Sequence, residues 1–139
     1  MPSSFVLDAS VAAKLHFLEE GSDQAGVAVR RADRLIAPDL LFLEMASIAA
    51  KNVRRGTASS EQAVRAVRSV SGLLDEVIGL IGLASGAFEL AAMNGFSVYD
   101  GVYLALAEMR GIKVLTADYR LVKRAESSGL SHLVEALAL

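Results

Sequence analysis

The sequence has no cysteine, which excludes disulfides, thiolate catalysis and cysteine-ligated zinc or iron–sulfur centres. That absence suits a reducing compartment, and we expect a cytoplasmic protein. Long apolar runs are also missing. The longest uncharged stretch, Val77 to Phe88, falls short of the roughly 20 residues that a membrane span needs. The start, Met-Pro-Ser-Ser-Phe-Val-Leu-Asp, has neither a basic flank nor a long apolar core, so no signal peptide and no membrane association are expected. Strong charge bias is absent too: the net charge is −2, and a nucleic-acid reading must rest on local patches. Histidine is scarce, and His16 and His132 stand isolated. Without internal repeats, low-complexity tracts or linkers, residues 1–139 read as one domain.

What is present is a foldable chain. Its 53% hydrophobic and 22% charged residues are the composition of a packed core, not of a disordered chain. Short apolar runs at Phe5–Leu7, Leu35–Ala37, Val77–Ile81 and Ile112–Thr116 predict strands, with Leu133–Val134 as a candidate last edge strand. Helices are predicted over Ser10–Phe17, Asp23–Arg34, Asp39–Arg55 with Gly56 as its stop, Ala63–Leu74, Ser85–Met93 and Tyr119–Ser127. Ser59 and Gln62 have the spacing of a capping box before the fourth of these. A further helix carries Asp100 in its first turn and stops at Gly111. Strands alternating with helices predict an α/β fold: a mostly parallel sheet of about four to five strands flanked by helices.

Four acids stand out against that frame. Asp8 and Asp118 each follow a predicted strand where the next helix begins, at the carboxyl edge where open parallel sheets bind ligands. Asp100 shares one helix face with Tyr103, Leu104 and Ala107, and Glu44 lies mid-helix among Leu40, Leu41, Ser47 and Ile48. Singly, each has a plain reading: a helix cap for Asp8 or Asp118, a first-turn acid for Asp100, an ion pair with Lys51 for Glu44. Together they would repel one another without a cation. Oxygen donors alone, with no histidine or cysteine to help, select a hard ion such as Mg²⁺ or Mn²⁺, which usually serves phosphate chemistry.

The chain resembles the PIN-domain ribonucleases, in particular the VapC-type toxins of toxin–antitoxin pairs. The resemblance is carried in order by Val6-Leu-Asp8-Ala-Ser10, by Ala37-Pro-Asp-Leu-Leu-Phe-Leu-Glu44-Met-Ala with Val53-Arg-Arg-Gly56, by Tyr99-Asp100-Gly-Val-Tyr-Leu-Ala-Leu-Ala107, and by Val114-Leu-Thr116-Ala-Asp118-Tyr-Arg120-Leu. It implies a metal-dependent endoribonuclease in which Asp8, Glu44, Asp100 and Asp118 surround Mg²⁺ or Mn²⁺. Asp8 and Asp100 would be direct ligands, while Glu44 and Asp118 would act directly or through water. Ser10 and Thr116 would support them, and the products would carry a 5′-phosphate and a 3′-hydroxyl. It implies as partners an RNA substrate and a small antitoxin; the high apolar content of so small an α/β unit separately leads us to expect a homodimer or higher oligomer. Because that antitoxin is itself the DNA-binding member, the chain would not bind DNA directly. Two departures are Ser47, where many members have asparagine, and Gly101, which is expected to loosen the turn carrying Asp100.

Lys14, Lys51, Arg54, Arg55, Arg120, Lys123 and Arg124 are candidates for RNA phosphate contacts, and equally for a solvated basic face. Tyr99 and Tyr103 read as core or rim aromatics. Among alternatives, a receiver domain needs paired acids after its first strand, and a haloacid-dehalogenase-like phosphatase needs a second Asp where Ser10 stands. A PIN-like module acting only in binding or assembly, and a solitary RNA-processing nuclease, also stay open.

Overall fold

The computed structural model describes residues 3–138. In chain order its main elements are β1 (Ser4–Leu7), α1 (Ala9–His16), α2 (Ser22–Arg31), β2 (Arg34–Pro38), α3 (Leu40–Arg54), α4 (Ser60–Ser69), β3 (Glu76–Ile78), α5 (Ala84–Asn94), α6 (Val98–Arg110), β4 (Lys113–Thr116), α7 (Tyr119–Ser127) and β5 (Val134–Ala136). The strands form one sheet in the order β3-β2-β1-β4-β5, and every pairing is parallel. The expected α/β architecture is observed.

Strand side chains alternate between the two faces, and both faces are covered. Val6, Ile36, Val114 and Val134 pack under α5, α6 and α7. Leu7, Ala37 and Leu115 pack on the other face against α1, α3 and α4. Each fully buried aliphatic side chain contributes about 1.5–3 kcal/mol of transfer free energy. From β1 the chain builds outward through β2 and β3, then returns to the other side of β1 as β4. That reversal opens a crevice between the carboxyl ends of β1 and β4, the usual ligand position in such sheets.

α6 runs through the middle of one layer, and every residue from Gly101 to Ala107 is buried. Ser97 caps its first turn, accepting from the Asp100 amide at 3.0 Å, and Gly111 ends it in the left-handed conformation at φ 66°. Gly101 does not loosen this helix. A Cβ there would lie 2.6 Å from the Ala87 carbonyl oxygen, so glycine is what lets α5 and α6 approach.

Three other expectations need correction. The apolar run at 77–81 pairs only as far as Ile78, and Ile81 is 98% exposed, because β3 is an edge strand with no neighbour to cover its continuation. The predicted 63–74 helix becomes α4 followed by a tighter turn over Val70–Leu73. Only half of the capping box forms: Ser59 Oγ accepts from the Gln62 amide at 3.1 Å, while the Gln62 side chain donates to the His16 carbonyl at 3.3 Å.

Candidate active site

Asp8 immediately follows β1, in the extended backbone of a helix cap, yet its side chain makes no cap hydrogen bond. Its Oδ2 instead accepts from Ser10 Oγ at 2.6 Å and Thr116 Oγ1 at 2.7 Å. Those hydroxyls in turn accept from the backbone amides of Ala117 (2.9 Å) and Asp118 (3.0 Å). With their acceptor sides engaged, both hydroxyl protons point at the carboxylate. Thr116, the last residue of β4, is wholly buried, so this arrangement is built into the carboxyl edge of the sheet. Burial pushes the Asp8 carboxyl above its ordinary value, the two hydroxyls oppose that, and the charge of Asp118 adds to the rise.

Asp118 does cap its helix. Its Oδ1 accepts from the Arg120 amide at 3.1 Å and the Leu121 amide at 3.3 Å, and Oδ2 is left out of that arrangement. Glu44 leaves α3 toward α6, where Tyr103 Oη donates to its Oε1 at 2.5 Å. The ion pair with Lys51 is therefore not the partner of Glu44. Burial raises the Glu44 carboxyl, the Tyr103 hydrogen bond lowers it, and the charges of Asp8 and Asp100 raise it again. Asp100 is raised by burial, then by Asp118 and Asp8, against the pull of Ser97 and Arg124. The Tyr103 phenol is pushed far above its usual range by burial and the surrounding acids, so it stays a donor.

The charges of these acids act on one another at the carboxyl edge of the sheet: Asp8 and Asp100 each couple to the other, to Glu44 and to Asp118. Among the described residues, none of them forms an ion pair. Nor do any three acids stand close enough to make a ready-made cage for a metal. This donor set fits a hard, hydrated cation, because Mg²⁺ keeps several waters and is usually held by one or two carboxylates. Glu44 Oε2 and Asp118 Oδ2 are unused in the hydrogen bonds above.

The basic candidates separate. Lys14 is taken up by Glu19 (3.2 Å) and the Glu20 carbonyl. Lys51 shares a cleft with Glu44, Ser47 and Tyr99 on the α3 side. Arg54 and Arg55 are exposed at the far end of α3, and Arg120 and Arg124 share a pocket with Asp100 and Asp118. His16 faces the Ala12 carbonyl at 2.9 Å, and His132 is exposed in a short turn before β5.

The PIN domain family profile matches residues 5–127. The chain belongs to the PIN-domain family. Ribonuclease VapC3 of Pyrobaculum aerophilum is 36% identical to this PIN domain over 121 residues, covering 86% of this chain and 92% of that protein. A toxin–antitoxin complex from Klebsiella pneumoniae is similar in fold, with a TM-score of 0.71 at 16% identity, covering 96% of this chain and 98% of that one. So is VapC20 of Mycobacterium tuberculosis, described as a sarcin-ricin loop cleaving toxin, with a TM-score of 0.65 at 19% identity and 85% and 93% coverage. At such identities these two structures speak to the fold alone.

One residue of this PIN domain's site escaped sequence reasoning in its role. Tyr103 reads as a core or rim aromatic, and it is core, at 2% exposure, but its hydroxyl is the partner of Glu44. The available signal was its place one helical turn after Asp100 on the same face.

Proposed function

We propose that this PIN domain is a Mg²⁺- or Mn²⁺-dependent endoribonuclease that hydrolyses phosphodiesters in structured cellular RNA, and that it is the toxin of a toxin–antitoxin pair. The observation that carries this reading is the convergence of Asp8, Glu44, Asp100 and Asp118 from four separate elements with, among the described residues, no cationic side chain in a salt bridge to any of them. The 36% identity to a protein named ribonuclease VapC3 supports RNA as substrate and a small antitoxin as partner. Exposed apolar side chains on and beside α5, including Phe88 at 65% and Ile81 at 98%, support a homodimer.

A divalent cation, when bound, lowers the pKa of a water and stabilises the charge that builds during in-line displacement at phosphorus. The chain's own residues prepare for this. Ser10 and Thr116 favour the ionised form of Asp8 against the cost of its burial. Tyr103 fixes the direction of Glu44, and the α7 amides fix that of Asp118 through one oxygen while leaving the other out of those bonds.

The test is cleavage of end-labelled total RNA with Mn²⁺, with Mg²⁺ and with chelator, alongside Asp100→Asn. Discrete cuts are expected that need metal and fall to background in the variant. Equal behaviour of wild type and variant would overturn the catalytic reading and leave a binding module. A small protein co-purifying from the adjacent reading frame is expected; its absence would favour a solitary processing nuclease.

A further inference from the structure

Of the basic residues near the acids, only two, Arg120 and Arg124, line the pocket of about 260 Å³ that Asp100 and Asp118 also line. A second cavity of about 480 Å³ shares those two arginines and adds Lys123, Asn94 and Ser127, so the two openings run together across α7. Residues 120, 123, 124 and 127 fall on one face of α7, while Leu121 and Ala125 of the opposite face are buried. The three cations are exposed, and among the described residues none forms an ion pair, in contrast to Lys14, Arg34 and Arg110. Arg124 is also held in place. Its Nη1 donates to the Gly95 carbonyl at 3.1 Å, and a Cβ at Gly95 would fall 3.2 Å from that nitrogen. One edge of the guanidinium is thus anchored to the turn before α6.

We infer that an RNA strand bound at the acids leaves them along α7, its phosphates seated on Arg120 and Arg124 beside Asp100 and Asp118 and then on Lys123. This rests on the ribonuclease reading and gives it a direction: the α7 side offers three cations along two joined cavities, while the cleft on the α3 side offers one, Lys51, beside the exposed Leu43 and Tyr99. Phosphate contacts of this kind fix the register of a strand without reading its sequence. An anchored arginine is suited to that task, because less side-chain freedom is lost on binding.

The test measures binding of a labelled mixed-sequence single-stranded RNA in the Asp100→Asn background, over a series of salt concentrations. Arg120→Ala and Lys123→Ala, whose side chains hold nothing else in place, are each expected to weaken binding several-fold. Each should also lower the slope of log K against log salt by about 0.7, the value for one phosphate contact on a single strand. Arg65→Ala on α4, away from both cavities, should change neither. If the parent binds RNA but both α7 variants match it in affinity and slope, the track is wrong while the ribonuclease reading stands. If the parent binds no RNA and the wild type cleaves none, both fall together.

Discussion

The two ends of the sheet treat carboxylates in opposite ways. At the amino end, Glu76 of β3 is held by Arg34 of β2 at 2.8 Å and by Arg110 at the end of α6 at 2.5 Å. Those two guanidiniums hold its carboxyl down at about 2. At the carboxyl end, Asp8, Glu44 and Asp100 are all pushed up, and their hydrogen-bond partners are hydroxyls and a phenol, with no salt-bridged cation among the described residues. Helix α6 reaches both ends, with Asp100 in its first turn and Arg110 in its last. A single helix therefore carries one acid that makes no salt bridge among the described residues, with Arg124 acting on it only at a distance, and one base that neutralises another acid. At the amino end the charges are matched within the chain; at the carboxyl end, on the proposed reading, a cation from outside would match them.

The sharpest way to break this contrast is to remove the hydroxyls that take the place of cations. Thr116→Val should leave Asp8 short of a donor and the Asp118 amide without its acceptor. We expect activity or metal affinity to fall roughly 10- to 100-fold, as for lost partners of a ligand, and stability to drop by about 1–3 kcal/mol for the orphaned amide. Thr116→Ser should restore most of both. Divalent-ion titration of cleavage, run beside urea unfolding, separates the two effects; an unchanged metal dependence in Thr116→Val would deny the hydroxyl its role.

A smaller effect is expected from Gly101→Ala, which strains the active end of α6 and leaves its other end alone. Helix propensity favours alanine by about 0.5–1 kcal/mol, but the new methyl would sit 2.6 Å from a backbone oxygen of α5 that cannot swing away. Overpacking of this kind costs about 1–3 kcal/mol and should win. We expect a lower unfolding midpoint and impaired cleavage, with the Arg110–Glu76 pair intact. A variant more stable than wild type would show that propensity decides.

How much of this was legible in the sequence follows from the range of each signal. All four acids were visible because each sits at a strand end or on a helix face that local patterning reveals, and α7 was bounded correctly from its flanking Asp118 and Gly129. Gly101 was misjudged because propensity is local, whereas its requirement comes from another helix. Tyr103 and Glu44 are 59 positions apart; its place one turn after Asp100 puts Tyr103 on the acid-bearing face, but neither neighbourhood names the other as partner. The run at 77–81 looked like a full strand because apolar content does not tell an edge from a centre. Short-range chemistry was readable; the pairing of distant elements was not.

The gentlest probe of the contrast is pH, because the two ends should respond with opposite sign. Asp8, Glu44 and Asp100 bind protons more tightly folded than unfolded, so their contribution to stability is present in full below the ordinary values of 3.8 and 4.5. It is lost as pH rises through their raised native values. Glu76 does the reverse: its contribution is present above 4.5 and disappears as pH falls toward about 2. In chelator, Asp100→Asn should therefore gain stability over wild type as pH approaches neutrality, and Glu76→Gln should lose it. Adding Mg²⁺ should stabilise the wild type near neutral pH and close the gap to Asp100→Asn, while leaving the Glu76→Gln deficit in place. Urea midpoints across the acid-to-neutral range read all of these. An Asp100→Asn protein no more stable than wild type without metal would mean that the carboxyl end was never short of a cation.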